Sequence, residues 1–264
     1  MTATTLPTVS RTRRLAFYIV VALFSLLMIA FTGFMIPILP GVIIGWFTPD
    51  LFGIHQLHEM SNGALAWVIL AGVLLQFHHP ERKVAGVQMA NVAVMTSLVV
   101  NIVTGTFFPG TLLFLLFVLV VAWLHPKRGE MLRFRRIGQP ELLALVAVAA
   151  VPLLLYATNQ ASLQLGPAAA DAHGQFSHYA TMANVAITVL LLGLLASFGT
   201  TGWRIPAWGA GFVAIVLGLT SVVFPGQASS VGLLWGILSL VWALAFIGVA
   251  EWKWIKTEAL HDIA

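Results

Sequence analysis

The segment from His55 to Arg128, opening HQLHEMSNGALAWVILAGVLLQF, recurs about 120 residues later from His173 as HGQFSHYATMANVAITVLLLGLLASF. The register pairs His58 with His178 and, after a one-residue slip, Phe77 with Phe198. Phe108-Pro109-Gly110 answers Phe224-Pro225-Gly226, and Trp123 answers Trp242. An internal repeat means one structural unit used twice, and it decides architecture before any local signal does.

The unit belongs in a membrane. The chain is 59% hydrophobic and only 8% charged, against roughly 25% charged in soluble domains. The net charge of +4 does not point to nucleic acid, because the basic residues sit in short segments between apolar runs, where they set topology. The chain has no cysteine, which excludes disulfides, thiolate metal sites and a cysteine nucleophile. The first apolar run, after SRTRR, is too long for a signal-peptide core and reads as a retained span.

Apolar stretches measured against the ~20 residues that cross a bilayer predict eight helices, at about 15–38, 58–77, 84–105, 110–125, 141–158, 178–198, 206–223 and 229–250. The expected fold is all-α and polytopic, with two four-helix repeats at 15–128 and 141–252. A cytoplasmic N-terminal tail (1–14), a basic cytoplasmic linker (129–140) and a cytoplasmic C-terminal tail (253–264) complete the chain. Four spans per repeat make the repeats parallel, related by an axis along the membrane normal. With the N-terminus inside, all 13 Lys and Arg residues fall on the cytoplasmic side, the pattern of a bacterial-type inner-membrane protein with both termini cytoplasmic. The basic stretch HPKRGEMLRFRRIGQPE serves as topology anchor and meets anionic headgroups.

Two outer segments, 39–57 and 159–177, are expected as long loops of the kind that cap functional sites, and each runs into a histidine pair. His55 and His58 are three apart and share a helix face with Asn62. His173 and His178 open the equivalent segment, followed by Thr181, Asn184 and Thr188. His58 and His178 therefore lie at the same depth on the outer side. One interfacial histidine is ordinary, whereas two at equivalent positions weigh evenly between a site and a duplicated packing residue. His78, His79 and His125 lie among cations at the inner boundary, where HHPERK and LHPKR read as helix terminators. Asn91, Thr96, Ser97, Asn101 and Thr104 read as interhelical hydrogen-bonding groups, and Gly209, Gly211 and Gly218 as close-packing positions. No phosphate loop, HExxH, GxSxG or dinucleotide fingerprint is present.

Two tandem four-helix bundles, each with a long outer loop before a histidine that opens the second helix, resemble the haem A synthase family and related b-type cytochrome bundles. IHQLHEMSNGA around His58 and HGQFSHYATMAN around His178 carry the resemblance, with TGTFFPG and TSVVFPG as counterparts of the turn before the fourth helix. The chain has Glu59 and Tyr179 where that family has Arg, and it lacks the fourth-helix histidines and the loop cysteines. The resemblance thus implies haem binding rather than the synthase reaction. It implies haem b with His58 and His178 as axial ligands, either both on one iron across the pseudo-two-fold axis or each on its own, in a role of electron transfer or haem-linked redox chemistry with a membrane redox partner or as a complex subunit.

Two other readings stay open from the residues themselves. His55, His58, His173, His178 and Asp171 offer imidazole and carboxylate ligands suited to copper or zinc. The scarcity of intramembrane charge suits a non-enzymatic subunit or a carrier of a small apolar or neutral solute with its cavity at the repeat interface. In every reading the lipid bilayer is a partner and nucleic acid is not.

Overall fold

The computed structural model describes residues 10–47, 56–131 and 137–261, with side chains to 256. Within them the chain is helical, without strands. Helix α1 (Arg11–Ile29) starts on the Ser10 side chain, which accepts the Arg13 amide, and runs into a π-helical turn, Ala30–Met35. The short α2 (Ile38–Ile44) follows, then α3 (Gln56–Leu74), α4 (Val84–Val103) and α5 (Pro109–Leu124). The second half contains α6 (Pro140–Leu165), the one-turn α7 (Ala172–Gln175), α8 (His178–Ser197), α9 (Arg204–Val223) and α10 (Gly232–His261).

Seven of these helices are long and apolar enough to cross a membrane, and α5 is a shorter apolar helix of 16 residues. At 1.5 Å per residue α5 rises about 24 Å, short of a ~30 Å hydrocarbon core. The chain is a helical, multi-pass membrane protein. Two expected boundaries move. The 159–177 loop is largely helix, because α6 continues to Leu165 and α7 follows it. The C-terminal tail from 253 is the continuation of α10. In the 39–57 segment α2 packs on α3, and a Cβ on Gly63 would lie 2.7 Å from the Ile38 carbonyl.

In the first half α1 packs on α3 and α5, and α4 on α3 and α5; in the second, α8 packs on α6 and α9, and α10 on α6 and α9. Between the halves α3 meets α9 and α4 meets α8. Lipid tails are as apolar as leucine, so helices associate through close backbone approach and interhelical polar contacts. Gly218 and Gly236 supply the approach between α9 and α10, since a Cβ on either would come within 2.9 Å of the other's carbonyl oxygen. Gly209 faces Met89 and Gly211 faces Ile247. Of the expected polar contacts, Asn91 joins helices by donating to Val118 O of α5, whereas Thr96 and Thr104 return to their own helix.

The helix ends at residues 10–14, 75–84, 124–131, 137–140, 197–205 and 250–261 lie on one side of the bundle, and the described cations cluster there. Arg13 donates to the carbonyls of Trp123, Leu124 and His125 at the end of α5. Arg204 pairs with Glu251, and Lys253 with Glu141 at 2.7 Å. His125 is fully buried, its ring donating from Nε2 to Pro80 O at 3.1 Å and accepting the Lys127 amide at Nδ1.

Candidate functional site

At the opposite, cation-poor end three histidines meet. His58 stands in the first turn of α3, His178 opens α8, and His173 lies on α7. The ring centres of His58 and His178 are 4.7 Å apart, those of His58 and His173 5.4 Å, and those of His173 and His178 6.4 Å. His58 is 2% exposed. His58 of the first half and His178 of the second thus come into contact. His55 lies outside the described residues.

The groups that hold His58 in the cluster come from the second half of the chain. Ser229, in the turn between α9 and α10, places Oγ 3.0 Å from His58 Nε2 and donates to Gln160 Oε1 of α6 at 2.6 Å. Its single hydroxyl proton is used on Gln160, so His58 donates from Nε2. The Ser229 carbonyl accepts the Tyr156 hydroxyl at 2.6 Å. Ser177 and Ser229 are both left-handed, at φ 60° and 64°, a conformation that costs a non-glycine residue of order 1–3 kcal/mol and persists where surroundings over-determine it.

On the other flank, Asp171 accepts the Gly174 amide at 2.9 Å and the Tyr179 hydroxyl at 2.8 Å, and lies 3.5 Å from His173 Nδ1. The Gly174 amide, with help from Tyr179 and His173, holds the Asp171 carboxyl below the usual carboxylate range. Gln164 closes the layer, donating to Gly174 O and accepting the Ala180 amide.

In the first half the turn between α4 and α5 folds back on itself, with Thr106 bonded to Thr104 and Asn101. The Ser229, Gln160 and Tyr156 contributions are absent from the sequence reading, although the two glutamines four apart in NQASLQ, at the end of an apolar run, were a usable signal, since a buried amide needs a partner.

Deeper in the first bundle is a partly open cavity of about 270 Å³. Its walls come from the π-turn of α1 (Phe31, Thr32), from α3 (Asn62, Leu65, Ala66, Ile69), α4 (Ala93, Val94, Ser97) and α5 (Thr111, Phe114), with Asn184 reaching in from α8. Asn62 is one turn below His58, about 6 Å deeper. Asn184 is 7% exposed and its Oδ1 accepts Thr188 Oγ1 at 3.1 Å, which leaves its NH₂ as a donor toward the cavity. The side chains of Asn62, Ser97 and Thr111 make no hydrogen bond among the described residues. Among the described residues no acidic or basic side chain lines the cavity.

Both cofactor expectations meet this geometry. Imidazoles on opposite sides of one iron have ring centres roughly 6 Å apart, since each metal–nitrogen bond alone is about 2 Å. His58 and His178 at 4.7 Å and a 41° tilt are packed on each other without that separation, and neither lines the cavity. As arranged, His58 and His178 do not fit the two sides of one haem iron. Among the described residues no group of three His, Asp or Glu side chains is placed to hold a metal ion. No protein-family model, no curated protein and no solved structure matches this chain.

Proposed function

We propose that this protein binds a small, neutral, largely apolar molecule in the core of its first four-helix bundle, as a carrier or binding subunit of the membrane. The single observation behind the reading is the pair of amides, Asn62 and Asn184, in a mainly apolar chamber inside a membrane protein, whose other polar lining is the hydroxyls of Thr32, Ser97 and Thr111. Unsatisfied polar groups in a hydrocarbon environment cost several kcal/mol. An apolar chamber with a few convergent polar groups is the usual form of a small-molecule site, and ~300 Å³ is the lower end of the usual range. The Asn184 donor selects a hydrogen-bond acceptor such as a carbonyl, and the lack of charged lining selects a neutral molecule.

The chain is read as two parallel repeats of four helices, with α3 and α4 related to α8 and α9. The reciprocal packing of α3 on α9 and α4 on α8 supports this. One-sided cations support an inner-membrane orientation with both termini in the cytoplasm. In that frame the three histidines cap the outer face and tie the halves together above the cavity.

Benzophenone tests the reading, because it is a neutral aromatic ketone that inserts into nearby C–H bonds under near-ultraviolet light. In nanodiscs, adducts are expected on the peptides containing Leu65–Ile69 and Val94. Leu65→Trp, which fills the cavity, and Asn184→Leu, which removes the donor, are each expected to reduce those adducts about tenfold. Labelling confined to lipid-facing residues, or unchanged in both variants, overturns the proposal.

A further inference from the structure

The cavity has a side wall made of rings. Phe31, on the π-turn of α1, stacks on Phe108 at 6.1 Å and meets Phe114 of α5 edge-on at 5.8 Å, and all three line the cavity. Phe108 is 46% exposed on its far side, and Ile36, also a lining residue, is 40% exposed. Neighbouring Phe34, Met35 and Phe107 are exposed, and no charged residue occurs in 30–36 or 104–114. The seam between α1 and α5 is therefore a lipid-facing surface closed by side chains alone.

Two backbone features suit this wall to movement. The turn at Ala30–Met35 is π-helical, with Ile36 N–H bonded to Phe31 O at 2.9 Å, a form that recurs at functional sites. Gly110 has no side chain, and a Cβ there would lie 2.2 Å from the Phe108 ring. Phe108 thus holds its position over the seam because residue 110 is glycine. The second half does not repeat the arrangement: nothing lies within 4 Å of a Cβ on Gly226, and Phe224 stacks on Trp46 instead.

We infer that the ligand enters sideways from the outer half of the bilayer, between α1 and α5, through a portal closed by Phe31, Phe108 and Phe114. The inference rests on the cavity reading above and narrows the ligand to a membrane-dissolved molecule. A water-borne solute would need strongly polar groups along its route, and the portal itself is three phenylalanine rings, with the Thr32 hydroxyl turned back to Met28 O and only that of Thr111 beside them.

The test is the rate at which benzophenone labels the cavity in nanodiscs. Phe108→Ala and, independently, Gly110→Ala, which displaces the Phe108 ring, are each expected to speed labelling several-fold at unchanged positions. The chain has no cysteine, so Phe31→Cys with Phe108→Cys provides the only thiols. Bridging them with a short bismaleimide should slow labelling at least tenfold relative to the unbridged pair. A permanently charged trimethylammonium benzophenone should not label the cavity. If portal variants and bridging leave the rate unchanged, or the charged probe labels the cavity, while Leu65→Trp still abolishes labelling, the portal is wrong and the cavity reading stands. If Leu65→Trp also has no effect, both fail.

Discussion

His58 Nε2 lies 3.0 Å from Ser229 Oγ, joining the start of α3 to the turn between α9 and α10, 171 positions along the chain. The same hydroxyl serves Gln160, and the Ser229 carbonyl serves Tyr156, so one left-handed serine fastens three elements. Ser229→Ala leaves a buried imidazole N–H and a buried amide oxygen without their partner, which costs about 1–3 kcal/mol. The expected result is a lower unfolding midpoint in detergent. Ser229→Gly relieves the backbone conformation yet loses the same hydrogen bonds, so it should recover only part of the loss.

Asn184→Leu separates binding from folding. The amide is nearly buried among apolar helices. Replacing it with a similar apolar volume removes the NH₂ and also the Oδ1 that accepts the buried Thr188 hydroxyl, a loss of about 1–2 kcal/mol. Thermal unfolding of the ligand-free protein should fall by no more than that, while cavity labelling falls about tenfold. A loss of stability larger than about 2 kcal/mol would mean that the amide serves the fold rather than a ligand.

His125 provides a pH test at the other end of the bundle. Burial is the largest influence and lowers its pKa from 6.5 to about 4, so the folded protein holds the ring neutral, as the accepted Lys127 amide requires. The unfolded chain takes up a proton below about pH 6.5 and the folded chain does not. This contribution is therefore complete above that pH and is lost as pH falls toward about 4, at no more than ~1.4 kcal/mol per pH unit. The difference in unfolding free energy between wild type and His125→Gln, measured across this range, should shrink toward the acid end. A difference that is flat with pH contradicts the assignment.

The fold was legible where it depends on hydrophobic length. That signal survives in one dimension, and seven helices satisfy the membrane criterion with the eighth run present as the shorter α5. The loops were not legible, because whether Asn159–Leu165 is coil or helix depends on partners. Gln160 and Gln164 find theirs in Ser229, Gly174 and Ala180. The two histidines expected at equal depth do meet, but no pattern in the chain measures their separation, and 4.7 Å is a packing distance rather than a ligand span. The cavity was invisible in sequence because Asn62 and Asn184 lie on separate helices, and only the packing of α8 against α3 and α4 brings both to one wall.

Orientation has its own check. The described cations gather at one end, with Arg13 on the last carbonyls of α5 and Arg204 on Glu251. Reporters inserted at Gly129 and fused after His261 should both be cytoplasmic. An external signal from either would reverse which leaflet the Phe108 portal faces.

The most direct measurement of the central claim is a quantitative organic extract of the purified protein, wild type against Leu65→Trp, analysed by mass spectrometry. The account predicts one neutral, carbonyl-bearing compound approaching one molecule per chain in the wild type and absent from the variant, with no haem in either extract. The same compounds in equal amounts from both proteins, or a stoichiometric haem lost only when His58 or His178 is replaced, would contradict it.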